Sequence, residues 1–293
     1  MAGEQGQPAT AGGGNFLTPA EVKSAIIETA VKKAALRIGP MFLLAIAAGA
    51  FIAFAAAASN TAIHALATKD YGVARTLAGA IFAAGLMMVV IAGGELFTGN
   101  MLMVTGVLAG KIRLRPMLRN WLVVYTGNFA GALLVVLMMK FSGLWEVQQG
   151  LIGGFTVKVA ALKASLGFGQ AFFLGVLCNW LVCLAVWMAT AARDIAGKAV
   201  AIFFPIALFI ILGYEHSVAN MYYIPAGILA AANDALRSLC GLGETTLSNL
   251  TWSAMLLKNL LPVTLGNILG GSVLVGALYF GAFSTAKHHG PSR

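Results

Sequence analysis

Glu215 and His216 stand side by side in Gly213-Tyr214-Glu215-His216-Ser217-Val218-Ala219-Asn220, in the middle of an apolar run between Lys198 and Asp234. Ionisable groups are expensive in such a place. A charged residue at the centre of a membrane helix costs roughly 2.5 to 3.5 kcal/mol, and such groups usually face a cavity or an ion path. The chemistry open to this pair is hydrogen bonding and proton exchange, since imidazole titrates near neutrality. The structural alternative is a buried neutral imidazole that only hydrogen-bonds a broken helix.

A second interruption of the same kind lies upstream, in Gly93-Gly94-Glu95-Leu96-Phe97-Thr98-Gly99-Asn100. Both octapeptides share Glu-x4-Asn. Glu95 and Glu215 are expected to hold the breaks together, by accepting backbone N–H groups that a broken helix leaves free or by bonding Asn100 and Asn220. Asn179, in mid-run, needs a partner from another helix. Lys163, just before an apolar run, reads on its own as an interfacial lysine with its head in water. Phe82, Leu86, Phe97 and Phe209 are ordinary core residues by composition.

The elements that carry these residues follow from hydropathy. The chain has 293 residues, 59% of them hydrophobic and only 10% charged, and its mean hydropathy is +0.86. Several stretches of at least ~18 residues lack Asp, Glu, Lys and Arg, which is long enough to cross the hydrocarbon core. The net charge of +9 does not mark a nucleic-acid binder, because the basic residues sit at the ends of apolar runs rather than on one soluble face. The three cysteines show neither a disulfide framework nor metal spacing. No cleaved signal peptide is expected at the start.

Thr18-Pro19-Ala20-Glu21 predicts a capped helix start. Val22, Ile26 and Ala30 then form one apolar face, suited either to the membrane surface or to a solvated helix leading into the first span. Six spans are predicted: about 39–60; from Arg75 through the Glu95 break to Gly110; 120–139; 171–192; the run broken at Glu215; and one between Lys258 and Lys287. The third and fourth are joined by a loop of about thirty residues. Residues 1–38 are expected to form a cytoplasmic tail and amphipathic helix, 39–286 a six-helix channel domain, and 287–293 a cytoplasmic tail. This orientation puts 12 of the 19 lysines and arginines inside, in accord with the positive-inside rule.

An internal repeat organises the spans. Besides the two breaks, span three contains Gly127-Asn128-x-x-Gly131 and span six contains Gly266-Asn267-x-x-Gly270. Each half is a three-helix unit, so the second copy is inserted upside down. Inverted repeats with helices broken at mid-membrane characterise many channels and transporters. Unwound backbone survives there only where protein or a water-filled cavity surrounds it. The glycine pairs fit close helix approach. The reading is an all-α membrane protein in which broken helices 2 and 5 converge on one site.

Gly-Tyr-Glu-His-Ser-Val-Ala-Asn-Met (213–221), Glu-Leu-Phe-Thr-Gly (95–99), Cys-Asn-Trp-Leu-Val-Cys-Leu-Ala-Val-Trp-Met (178–188) and Leu-Pro-Val-Thr-Leu-Gly-Asn (261–267) resemble the formate/nitrite transporter family over essentially residues 20–285. The resemblance implies an aquaporin-like protomer in a homopentamer, with one substrate path per subunit and no cofactor. It matches His216 to the family's central histidine and Thr98 to its hydrogen-bonding partner. Lys163, Asn179, Glu215 and Asn220 match polar residues of the outer vestibule and the broken fifth helix. Phe82, Leu86, Leu96, Phe97, Val182 and Phe209 match the hydrophobic constrictions. Residues 120–128 and 221–225 look closer to formate channels than to the nitrite branch, while hydrosulfide channels share the same motifs.

The expected activity is therefore transport of a small monovalent weak-acid anion, formate first and nitrite or hydrosulfide as alternatives, with lipid as the only other partner and no nucleic acid. Two other classes fit less well. A neutral-solute pore of the water or glycerol type is expected to carry Asn-Pro-Ala at both breaks, and that tripeptide is absent. A membrane enzyme would need Gly-x-Ser-Gly, paired intramembrane histidines for haem or a Walker motif, and none of these occurs.

Overall fold

The computed structural model describes residues 16–283. The segments 1–15 and 284–293, which hold most of the expected N-terminal tail and all of the expected C-terminal one with His288 and His289, lie outside the described residues. The described chain is all-helical apart from an isolated bridge between Phe16 and Ala192.

Helix α1 (Pro19–Ala35) starts as its sequence dictates. The Thr18 hydroxyl accepts from Glu21 N–H while the Glu21 carboxylate accepts from Thr18 N–H at 2.7 Å, and Pro19 occupies the first turn, where no N–H is needed. These bonds to Thr18 hold the Glu21 carboxyl below its ordinary range. The apolar face of Val22, Ile26 and Ala30 is buried, but against the other helices of the protein rather than along a membrane surface. Arg119 donates to the carbonyls of Ala34 and Leu36 and so closes the end of α1.

Among the described residues, five helices are long and apolar enough to cross a membrane, at Ile38–Ile63, Tyr71–Gly93, Leu114–Phe141, Phe168–Ala191 and Trp252–Ala282. They correspond to α2 (Ile38–Ile63), α3 (Tyr71–Met87, prolonged by a π-turn to Gly93), α5 (Leu114–Phe141), α7 (Phe168–Ala191) and a final rod. That rod joins α12 (Trp252–Ala254), α13 (Leu261–Gly271) and α14 (Leu278–Ala282) through π-turns. Lys258, expected to precede the last span, lies inside this rod.

The two broken runs do break. After Gly93, whose φ of +96° suits glycine, the chain is extended and restarts as a tight turn of helix at Gly99–Met103 that leads into α4 (Val104–Leu108). The other run comprises α8 (Ile195–Ile211), a turn through Gly213 at φ +75°, and α9 (Ser217–Ala230).

One connection departs from expectation. The supposed loop between the third and fourth spans contains α6 (Leu151–Ala164), entered through consecutive left-handed residues Gln148, Gln149 and Gly150. It is too short to cross a bilayer, and its two lysines make it read as a loop. It forms a helix because it is packed: Gly153 and Gly154 face Leu236 and Leu239, and α6 lies along α9. Short α10 (Asp234–Ser238) and α11 (Glu244–Leu247) fill the connection from α9 to the final rod.

The packing repeats itself. Helix α2 runs along α5 as α7 runs along α13, α1 lies on α4 as α6 lies on α9, and α3 packs against α8 between the halves. Glycines set the close approaches: a Cβ on Gly131 would collide with the Ile46 carbonyl, and one on Gly270 with the Val176 carbonyl.

Candidate functional site where the two broken helices meet

Each break is stitched by an asparagine from the neighbouring long helix. Asn128 accepts from Phe97 N–H at 2.9 Å and donates to the carbonyls of Ala45 and Glu95. Asn267 accepts from Ser217 N–H at 2.9 Å and donates to the carbonyls of Gly175 and Glu215. Backbone bonds from Glu95 N–H to Leu44 O and from Glu215 N–H to Leu174 O, both 3.2 Å, complete the pair. The freed backbone groups are thus served by side-chain amides and by neighbouring carbonyls, so of the two roles expected of the carboxylates the bonding of backbone N–H groups is not the one observed. Asn128 and Asn267 were legible only as part of a glycine packing motif.

The carboxylates anchor a second layer. Glu215 accepts from Asn220 at 2.6 Å and from Lys163 at 2.7 Å, and Asn220 also bonds Asn259. Glu95 accepts from Asn100 at 2.7 Å and from Lys33 at 2.5 Å, and Asn100 also bonds Asn120. Lys163 comes from the last turn of α6 and Lys33 from the last turn of α1. The bonds from Asn100 and Asn220 to the glutamates agree with expectation. Lys33, Asn120 and Asn259 were not anticipated, and their only sequence signal is an equivalent position in the other half.

The centre lies between these clamps. His216 is the N-cap of α9, and its Nδ1 accepts from Ala219 N–H at 3.1 Å. The ring proton therefore sits on Nε2, which lies 3.1 Å from Thr98 Oγ1. Thr98 is the acceptor of that bond, so its own hydroxyl proton is left for another partner. A second proton on Nδ1 would set a donor against the Ala219 N–H. Asn179 donates to the carbonyls of Thr98 and Asn267, and the Cys183 thiol lies 3.3 Å from the Thr98 carbonyl. Asn179 Oδ1 and Ser217 Oγ are buried without a partner, so hydrogen-bonding capacity is left over at the centre.

Apolar residues surround it. Phe209 stacks on His216 with centroids 5.9 Å apart and meets Phe82 edge to face at 5.5 Å. Phe97 packs edge to face on Tyr125 at 4.8 Å, next to Trp121. Leu86, Leu96 and Val182 are buried in the same core. The sequence-singled residues therefore fall into three groups: His216, Thr98 and Asn179 at the centre; Lys163, Glu215 and Asn220 in one clamp; and six buried apolar residues, of which Phe209 stacks on His216.

Outside the Glu215 clamp is a cavity of about 630 Å³, lined among others by Asn60, Arg75, Lys158, Lys163, Tyr214 and Glu215. Both restarted helices, Gly99–Leu108 and α9, begin at the centre. Their N-terminal ends carry partial positive charge, and an anion is favoured there. Among the described residues no group of three or more His, Cys, Asp or Glu could hold a metal ion.

Comparison with known proteins adds the following. A family model described as Formate/nitrite transporter matches residues 20–281. The chain is 38% identical over 284 residues to a probable formate transporter of Methanothermobacter thermautotrophicus, covering 92% of this chain and 97% of the relative. It is likewise 38% identical over 277 residues to the formate channel FocA of Escherichia coli K12, covering 94% and 97%. A solved pentameric formate channel with formate bound superposes with a TM-score of 0.74 at 37% identity, over 85% of this chain and 98% of that one. An ion channel of the same family gives 0.76 at 32%, over 89% and 98%.

Proposed function

Because the chain belongs to the formate/nitrite transporter family, whose members are channels and transporters, we propose that it is a passive membrane channel for a small monovalent weak-acid anion, formate before nitrite or hydrosulfide. It is a multi-pass membrane protein. In this reading it works as a homopentamer with one path per protomer. Six spans form an inverted repeat, the tails and α1 face the cytoplasm of a cell membrane, and residues 39–286 make up the channel.

The observation that carries the reading is the His216 imidazole, bonded to Thr98 at the meeting point of two broken helices and stacked on Phe209, which Phe82 meets edge to face. An isolated anion cannot enter such a neck, since the Born term for a bare ion in apolar surroundings is tens of kcal/mol. A carboxylate drawn in by Lys163 and by the positive helix ends loses hydration as it approaches, its proton affinity rises, and it crosses as the neutral acid. The tautomer of His216 bears on the proton's source. With Nδ1 occupied by Ala219 N–H, giving up the Nε2 proton would leave an imidazolate, so water in the vestibule supplies the proton. His216 and Thr98 then offer hydrogen bonds to the neutral acid in transit. Phe82, Leu86 and Phe209 close one side of the centre and Leu96, Phe97 and Val182 the other, while Asn179, Glu215 and Asn220 hold the walls.

The test is uptake by proteoliposomes of formate, nitrite, hydrosulfide and glycerol at two pH values. Formate is expected to pass without ATP and faster at the lower pH. The variant His216→Phe is expected to alter pH dependence and selectivity. Formate flux equal to that of empty liposomes alongside rapid glycerol swelling would identify a neutral-solute pore instead, and a His216→Phe variant with the wild-type pH profile would remove His216 from its role.

A further inference from the structure

The cavity of about 630 Å³ is far larger than a one-carbon carboxylate, and its basic residues are not equivalent. Lys163 is committed to Glu215. Arg75 and Lys158 line the same cavity and take part in none of the three ion pairs among the described residues. Arg75 is fixed at the break: its Nε donates to the Ile211 carbonyl at the end of α8, and a Cβ on Gly213 would lie 3.5 Å from its Nη2. Its remaining N–H groups have no acceptor among the described residues. On the α2 wall, Asn60 is only 5% exposed, yet its Nδ2 has no hydrogen-bond partner among the described residues. A buried amide with idle donors is costly unless something is there to accept from it.

We propose that Arg75, Asn60 and Lys158 form an outer receiving site for a small carboxylate, separate from the His216–Thr98 centre. The planar guanidinium offers two parallel N–H bonds to the two carboxylate oxygens. Asn60 Nδ2 donates to one of the same oxygens, and the unpaired Lys158 charge draws the anion in from bulk water. Lys163 and Glu215 line the same cavity as Arg75, so the receiving site and the Glu215 clamp share one vestibule. The capture of a carboxylate rests on the cavity; only the identification of formate as cargo rests on the preceding reading.

Two variants separate this site from packing. Asn60→Leu keeps the volume and removes the donors; Arg75→Lys keeps the charge while losing the fork. Each is expected to raise the formate concentration for half-maximal uptake by about tenfold, with maximal flux within about twofold of wild type. Half-saturation equal to wild type in both variants would overturn the proposal. Thermal unfolding in detergent, in sodium formate, acetate or lactate against sodium chloride at equal ionic strength, reads the site without transport. Wild type is expected to be stabilised by carboxylate over chloride and Asn60→Leu to lose that increment while being no less stable in chloride. If wild type passes no formate yet shows the increment, the site stands and the transport reading falls. If no carboxylate stabilises wild type over chloride, the site falls whatever the flux.

Discussion

Asn267 uses both ends of its amide on the backbone of one break, accepting from Ser217 N–H and donating to the carbonyls of Gly175 and Glu215. It is fully buried, so no water replaces what is removed. Leaving a buried polar group unsatisfied costs about 1 to 3 kcal/mol, and Asn267→Leu leaves two, the Ser217 N–H and the Glu215 carbonyl, because Gly175 lies inside α7 and its carbonyl keeps the helix's own bond. We expect Asn267→Leu to destabilise the protein by at least ~2 kcal/mol, read as a lower unfolding midpoint and loss of monodisperse protein. Asn267→Ser, which keeps a hydroxyl at the break, should lose less. A leucine variant within about 1 kcal/mol of wild type would show that the break is held by packing alone. His216 was conspicuous in the sequence because an ionisable residue in an apolar run has few innocuous explanations. Asn267 was not, because the adjacent glycines already accounted for its motif, and which backbone groups a break leaves free depends on a neighbouring helix.

At the scale of elements, α1 and α6 do the same job. Each is a short helix, set before a long one, that delivers a lysine from its last turn to the glutamate of a break. Neither role was legible: α1 looked like a surface helix and α6 like part of a loop. The partners are 62 and 52 residues apart in sequence, and hydropathy carries no information about pairing at that range. The capping box of α1 was legible because its partners are three residues apart. Glu95 and Glu215 are nearly buried, and removing one partner of a buried pair typically costs about 3 to 5 kcal/mol because the other charge is stranded. Lys163→Met should therefore destabilise more than Glu215→Gln, since the lysine left by the latter is partly exposed. The double variant should recover part of the loss, with a coupling above about 1 kcal/mol between the two sites. Thermal unfolding of the four proteins measures this. Single effects that add within about 0.5 kcal/mol would mean that the pair is a contact without consequence.

Across the whole molecule, the two halves correspond residue by residue within each segment of their framework, with the offset changing from segment to segment. Lys33, Leu44, Ala45 and Ile46 correspond, at one offset, to Lys163, Leu174, Gly175 and Val176, and Glu95, Phe97 and Asn100 correspond, at another, to Glu215, Ser217 and Asn220. The number of breaks and their kinship could be read from Glu-x4-Asn and Gly-Asn-x-x-Gly, because those patterns are local. The offset at the breaks follows from Glu-x4-Asn itself, whereas the one that relates Lys33 to Lys163 needed the hydrogen bonds. Once both are known, they divide the residues into two kinds. Groups that hold the breaks are duplicated. Those at the centre are not: the same offsets place Leu96 opposite His216, Val218 opposite Thr98 and Gly49 opposite Asn179. A fold built twice from one plan does not need these three polar side chains for its architecture, since the other copy stands without them. Replacing a centre residue by its counterpart is therefore expected to spare the fold and strike the passage. Thr98→Val should stay within about 1 kcal/mol of wild type, and His216→Leu within about 2 kcal/mol, because it also gives up an N-cap. Both should change formate flux or its pH profile in proteoliposomes. Unfolding midpoints measured beside uptake decide the matter: if either variant collapses as Asn267→Leu is expected to, the centre belongs to the framework, and the division between what is doubled and what is single does not separate structure from transport.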